Sequence, residues 1–216
     1  MTKKTIAVSV TGLVAVVVLA AVAVWMFPVF KVSSFEVQGI SHVDAAQVEE
    51  ASGVAKGENL VRVDARAAAS GVARLPWVKS ATVSRSFPST LSVEVTEHEA
   101  VAFRDKNKLI DAEGEEFAED TPPEGAVEIT GSAEPDSEEM SDAVEVVAAL
   151  PQPLRAQVKS LEVKSAYSMT FRLKDDRSVF WGASEDNANK ALAFETVLKM
   201  EGGQWNISNP ELVTTK

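Results

Sequence analysis

The chain has 216 residues, a net charge of −11, 25% charged positions and no cysteine. That length allows one or two ordinary domains. The acid excess argues against nucleic acid, which needs a basic surface, and the missing cysteines exclude disulfides, thiol catalysis and the usual zinc sets.

From Ile6 to Phe27 no charge interrupts the chain, and Ser9, Thr11 and Gly12 are its only polar or flexible positions. A helix rising about 1.5 Å per residue covers about 33 Å over that length, against a hydrocarbon core of ~30 Å. The competing reading is a cleaved signal peptide, with Lys3 and Lys4 as its basic start and Ala21-Val22-Ala23 as a small-x-small site. Signal cores run to roughly 7–15 apolar residues, and this run continues through Trp25, Met26 and Phe27, so a retained anchor is expected. Lys3 and Lys4 precede the span and Lys31 is the one close basic residue after it. This asymmetry predicts a cytoplasmic tail over 1–5, a span over 6–27 and the bulk of the chain outside the cytoplasm.

Beyond the span, Phe35 and Val37 alternate with Glu36 and Gln38, the pattern of a half-buried strand that closes at Gly39. Asp44, with Gln47 three residues on, predicts a capped short helix ending at Gly53. A second helix starts at Asp64 and sets Ala65, Ala68, Ala69, Val72 and Leu75 at helical spacing. A hairpin follows. Ala81, Val83, Leu91, Val93 and Val95 face one way, while Thr82, Ser84, Ser92, Glu94 and Thr96 face the other, so one side is core and the other wet. The order strand, helix, helix, strand, strand over residues 28–99 predicts a small α+β domain whose core includes Phe35, Val37, Val83, Leu91, Val93 and Val95.

Residues 100–216 predict a β-rich domain with flanking helices. Phe103, Leu109, Ile110 and Phe117 surround turn signals at Asp105-Lys106-Asn107 and Asp111-Ala112-Glu113-Gly114, which reads as a meander. Fourteen Asp and Glu and no Lys or Arg lie between Lys108 and Arg155. Inside that run Asp136 and Glu139 predict a helix cap, with Met140, Ala143, Val144, Val147 and Leu150 on one face and Pro151 and Pro153 as the stop. Strands are expected at Val158–Lys164, Ser168–Lys174 and Arg177–Gly182. A helix is expected from about Asn187 to Met200, and a last strand over Gln204–Ser208 leads into a terminal tail.

No nucleophile elbow, phosphate loop or dinucleotide glycine pattern occurs, and no cofactor or metal is expected. His42 and His98 lack a ligand partner at metal spacing and read as surface residues. The acidic run lacks calcium-loop spacing and reads as solvated surface. Trp181 and Trp205 serve either as core anchors or as sugar-stacking platforms. The second role, with a carboxylate pair, gives an anchored cell-wall hydrolase or sugar-binding protein as the alternative function.

The segments Phe35–Gly39, Leu75–Val78, Ala81–Arg85, Phe87–Leu91 and Val93–Glu97, behind one N-terminal span, resemble the POTRA domain of the FtsQ/DivIB family of bacterial cell-division proteins. Ala100–Phe103, Leu109–Phe117 and Val179–Gly182, the last followed by a helix with Lys190, are similar to that family's β-rich second domain. His98, Ala183 and Asn206 depart from it, standing where the family commonly has arginine, an acidic residue and aspartate. The resemblance implies a non-enzymatic, single-pass scaffold at the division septum that joins FtsB-like and FtsL-like partners and helps regulate septal peptidoglycan synthesis. It further implies strand addition by the FtsB-like partner near the C-terminus, for which Trp205, Asn206, Ile207, Ser208, Leu212 and Val213 are the candidates. A POTRA-bearing transport component is the other binding class. It requires a barrel of alternating strands of about ten residues, a pattern not evident here.

Overall fold

The computed structural model describes residues 13–19, 22, 25 and 29–215. Residues 13–19 form helix α1, and among the described residues no helix is long and apolar enough to cross a membrane. The span expected over residues 6–27 lies for the most part outside the described residues. Two compact units follow one another in the chain, the first ending at Glu97 and the second beginning at His98.

In the first unit, β1 (Ser34–Gln38), α2 (Ala45–Ala51), a 3-10 turn (Leu60–Arg62), α3 (Ala65–Val72), β2 (Val78–Ser86) and β3 (Thr90–Glu97) succeed one another. The sheet order is β1-β3-β2. β1 runs parallel to β3, with Phe35 opposite Leu91 and Val37 opposite Val93, and β2 is antiparallel to β3. Local chemistry sets the helix starts. Gln47 accepts a bond from the Asp44 backbone N–H, and Asp64 accepts from Arg66 and Ala67, so donors that the first helical turn leaves unpaired find partners. Val83, Leu91, Val93 and Val95 are buried with Val48, Leu60 and Val72, while Phe35 and Val37 are half-buried and pack against that core. A Cβ at Gly71 would stand 2.2 Å from the Ala51 carbonyl oxygen, so a glycine is what lets α3 approach α2.

The second unit is a nine-stranded sheet in the order β12-β11-β10-β9-β8-β7-β4-β5-β6. The expected meander is present as β4 (Ala102–Arg104), β5 (Lys108–Ile110) and β6 (Glu116–Glu119). β7 (Val127–Gly131) then crosses back to pair in parallel with both β4 and β8 (Val158–Ser165). β9 (Ser168–Leu173) and β10 (Ser178–Gly182) continue the antiparallel ladder, and β11 (Gln204–Asn206) joins β10 in parallel after helix α6 (Asn187–Leu198). Two residues, Thr214–Thr215, form β12 antiparallel to β11. One core gathers α4 (Glu138–Ala148) and α6 with the sheet through Val144, Val147, Leu161, Phe171, Trp181 and Phe194.

Several expected boundaries move. Ser137, not Asp136, caps α4, accepting from the Met140 N–H at 3.1 Å, because Asp136 sits in the left-handed region at φ 59°. Helix α4 stops at Ala148, ahead of Pro151 and Pro153 as expected, but a further turn, α5 (Gln152–Arg155), starts directly after Pro151, where a proline's missing N–H costs nothing. Helix α6 closes two residues early, at Leu198, and Arg177 satisfies that end by donating to the carbonyls of Val197, Leu198 and Met200 at 3.4, 3.2 and 3.0 Å.

Candidate partner-binding edge

The last strands of the second unit end on an open edge. β11 is flanked by β10 on one side and by β12 on the other, so it is an interior strand. The terminal edge is therefore Thr214–Thr215 rather than the Gln204–Ser208 segment expected from the sequence. What brings the chain back is a pair of asparagine turns. Asn206 Oδ1 accepts from the N–H and the hydroxyl of Ser208 at 2.9 and 2.8 Å, and Asn209 Oδ1 accepts from the Glu211 N–H at 3.1 Å. The Thr215 hydroxyl then donates to the Gln204 carbonyl at 3.1 Å.

The six expected partner-binding residues divide. Trp205 and Ile207 are 6% and 0% exposed and belong to the core, since β11 presents that side toward α6. Val213 is half-buried against the same core. Leu212 is 67% exposed, and Asn206 and Ser208 lie exposed in the turn. Beside the edge a groove of about 410 Å³ is lined by Arg172, Phe180, Gln204, Trp205, Asn206 and Thr214 among others. Arg172 donates to Glu162 at 2.9 Å, and that bond holds the Glu162 carboxyl below its ordinary pKa. An extended peptide at this edge would meet the outer backbone of β12, one guanidinium and one aromatic ring.

The tryptophan-glycine motif has a structural part. Trp181 is fully buried and donates to Asn187 Oδ1 at 3.0 Å; Asn187 and Ser184 in turn donate to Glu145 on α4. Lys190 is 3% exposed, and its ammonium donates to the Ala183 carbonyl at 2.9 Å and lies 5.9 Å from the Trp181 ring centre. Burial lowers its pKa, against the pull of Glu185 and Asp186. With both Trp181 and Trp205 buried, neither offers a face for sugar stacking.

Of the two histidines, His42 lies at the surface as expected and His98 does not. His42 is exposed and stacks on Trp77 with ring centres 3.9 Å apart. His98 is buried: its Nδ1 lies 2.8 Å from Asp111 Oδ2, and its ring stacks on Phe117 at 4.6 Å. Burial alone would raise the pKa of Asp111, but the Glu115 N–H, His98 and the Glu113 N–H outweigh it and hold the carboxyl below its ordinary value. Among the described residues, His98, Asp111 and Glu115 are the set whose ligand atoms lie within 4.8 Å of one another. Asp111 already accepts from two backbone N–H groups and faces His98, which is the ordinary arrangement of a satisfied buried carboxylate. Sequence reasoning missed β12, the groove residues Arg172 and Phe180, and the His98–Asp111 pair. Of these, only the β12 turn left a signal, in the closely spaced Asn206 and Asn209.

Comparison with known proteins agrees with this architecture. Residues 30–98 match the family described as POTRA domain, FtsQ-type, and residues 100–211 match the family described as cell division protein FtsQ/DivIB, C-terminal. A cell division protein FtsQ of Corynebacterium glutamicum is 42% identical over 222 residues, covering 100% of both chains. One of Mycobacteroides abscessus is 34% identical, covering 94% of this chain and 69% of its own, and one of Mycobacterium tuberculosis is 31% identical, covering 95% and 68%. On these matches the chain belongs to the FtsQ/DivIB family of cell division proteins.

Proposed function

We propose that this chain is a non-enzymatic, single-pass scaffold of the division septum. Residues 6–27 anchor it with the N-terminus in the cytoplasm, residues 28–99 act as its POTRA domain, and residues 100–216 bind partners and help regulate septal peptidoglycan synthesis. FtsL-like and FtsB-like proteins are its partners. The FtsB-like segment adds as a strand along β12, with Leu212 and the neighbouring groove supplying side-chain selectivity. The observation that carries this reading is the two-residue exposed edge strand closing a nine-stranded sheet beside a groove.

The test is binding of the full chain, in detergent, to the extracytoplasmic segment of the FtsB-like protein from the same organism, with and without residues 212–216. Binding that the truncation abolishes, with thermal stability retained, supports strand addition at β12. Equal binding by both chains places the partner elsewhere. Leu19→Arg tests the anchor, since arginine near mid-span costs about 2.5–3.5 kcal/mol of insertion on translocon scales. Unchanged membrane fractionation of that variant removes the anchor from the reading.

A further inference from the structure

The first unit carries an apolar corner that its core does not use. Phe87, in the turn between β2 and β3, is 59% exposed, as is Val29, and Trp25 is 57% exposed. Phe87 meets Phe30 edge to face, with ring centres 5.4 Å apart. These side chains are fixed in one place. The Phe30 carbonyl accepts from the Leu60 N–H at 2.8 Å, the Ser33 N–H donates to the Ser89 carbonyl at 2.8 Å, and the Asn59 amide donates to the Trp25 carbonyl at 3.4 Å. The Arg62 guanidinium lies 6.0 Å from the centre of the Trp25 ring. The 59–62 turn therefore touches a residue inside the apolar run of 6–27, and the Phe87 turn is joined to it through Phe30. Whatever depth Trp25 takes at a bilayer surface, the hairpin tip is tied to it through the 59–62 turn and Phe30.

Lys31, Arg62 and Arg85 are exposed on the segments that meet here, and the Arg85 guanidinium also donates to the Val63 carbonyl at 3.2 and 2.6 Å. Glu58 and Asp64 belong to the same stretch of chain and keep their negative charge while they accept from the Ala55 N–H and from the first turn of α3. The acid excess of the whole chain does not apply here, because residues 28–97 hold seven Lys and Arg against eight Asp and Glu. Exposed aromatic and aliphatic side chains together with basic ones on the same segments suit the layer where acyl chains meet phosphate.

We propose that the Phe87 turn, with Val29, inserts into the outer interface of the same membrane that holds the anchor, while Lys31, Arg62 and Arg85 lie against anionic phospholipid headgroups. The inference rests on the proposed span over 6–27. It makes the first unit a second membrane contact, one that fixes its tilt, rather than a body held only by a tether.

The chain's lack of cysteine makes the test direct. Single spin labels are placed at Phe87→Cys, Val29→Cys, Leu19→Cys and Tyr167→Cys in the full chain, reconstituted in phosphatidylcholine vesicles with and without phosphatidylglycerol. Tyr167 is 77% exposed in the second unit and serves as the aqueous reference. Collision rates with oxygen and with a water-soluble nickel complex then report depth. The expected result is a nickel collision rate at 87 and 29 several-fold below that at 167, with oxygen collisions retained, and a deeper position when phosphatidylglycerol is present. A label at 87 as accessible to nickel as that at 167, with 19 still protected, overturns the insertion and leaves the anchor standing. Low collision with both reagents at 87 shows protein cover, from a second copy of the chain, and also overturns it. Aqueous behaviour at 19 removes the anchor and the inference together.

Discussion

Glu97 is the most informative single position in the first unit. Its Oε1 accepts from the N–H groups of Ser41, His42 and Val43 at 2.9, 3.0 and 3.0 Å, and its Oε2 lies 2.9 Å from His42 Nδ1. The last residue of β3 thereby holds the loop that leads into α2. Burial by itself raises the pKa of this carboxyl, but the Ser41 N–H, the His42 ring and the Val43 and His42 N–H groups together leave it lowered from 4.5. Glu97→Ala removes every one of these bonds. Ser41 and His42 are exposed, so water replaces the carboxylate there, whereas Val43 is 7% exposed and its N–H is stranded. A stranded buried donor costs about 1–3 kcal/mol and each charge-assisted bond contributes about 1.5–3 kcal/mol when fully buried, so a loss near 3 kcal/mol follows, and about 1–2 kcal/mol for Glu97→Gln. For a domain of this size that lowers the melting temperature of the first unit by about 10–20 °C. The sign with pH is fixed by the lowered pKa: the stabilisation is present above the unfolded carboxyl's value and is lost as pH falls through the folded one. Thermal unfolding of the full chain in detergent, with amide exchange read at residues 41–43, checks both. A melting temperature for Glu97→Ala within a degree of the parent, with exchange unchanged, refutes the reasoning.

Other substitutions follow from the same kind of count, each read by thermal or denaturant unfolding. Trp205 Nε1 is buried without a partner while Trp181 Nε1 donates to Asn187, so Trp181→Phe should cost about 1–3 kcal/mol more than Trp205→Phe. Comparable losses for the two would contradict that difference. Gly71→Ala drives a Cβ against the Ala51 carbonyl and should destabilise the first unit by about 1–3 kcal/mol, although alanine is the better helix former. Arg177→Ala uncaps α6 and should cost about 1–2 kcal/mol, with faster exchange confined to the last turn of that helix. Unaltered exchange there would mean that solvent serves those carbonyls equally well.

The first unit was legible because its information is local. Alternation in Phe35–Gln38 and Leu91–Val95 set the faces, Asp44 and Asp64 set the helix starts, and the helices and the hairpin are short-range. The second unit was read less well because three of its strand pairings, β4 with β7, β7 with β8 and β10 with β11, are parallel and join segments separated by other elements, whereas the first unit has one such pairing, β1 with β3. β7 is a clear case: Val127 and Ile129 alternate with Glu128 and Thr130, but the surrounding acids drown a pattern of two apolar residues. His98 looked like a surface residue because its burial depends on Asp111 and on the Phe117 ring, thirteen and nineteen positions away.

The candidate edge shows the same limit at its sharpest. From sequence alone, Trp205 and Ile207 are attractive partner contacts, being large apolar residues near a terminus. Trp205 and Ile207 are buried in the core that α4, α6 and the sheet share, and Thr214 and Thr215, pairing outside β11, make β11 an interior strand. Two threonines carry no periodicity to detect, and their pairing depends on the Asn206 and Asn209 turns. The consequence for function is concrete. Substituting Trp205 or Ile207 would weaken any partner by damaging the core, and so would not locate the site. Substituting Leu212 or Thr214, which are exposed, separates loss of binding from loss of fold. An edge of only two residues is too short to template another chain alone, so in the proposed reading the groove beside it has to supply the selectivity.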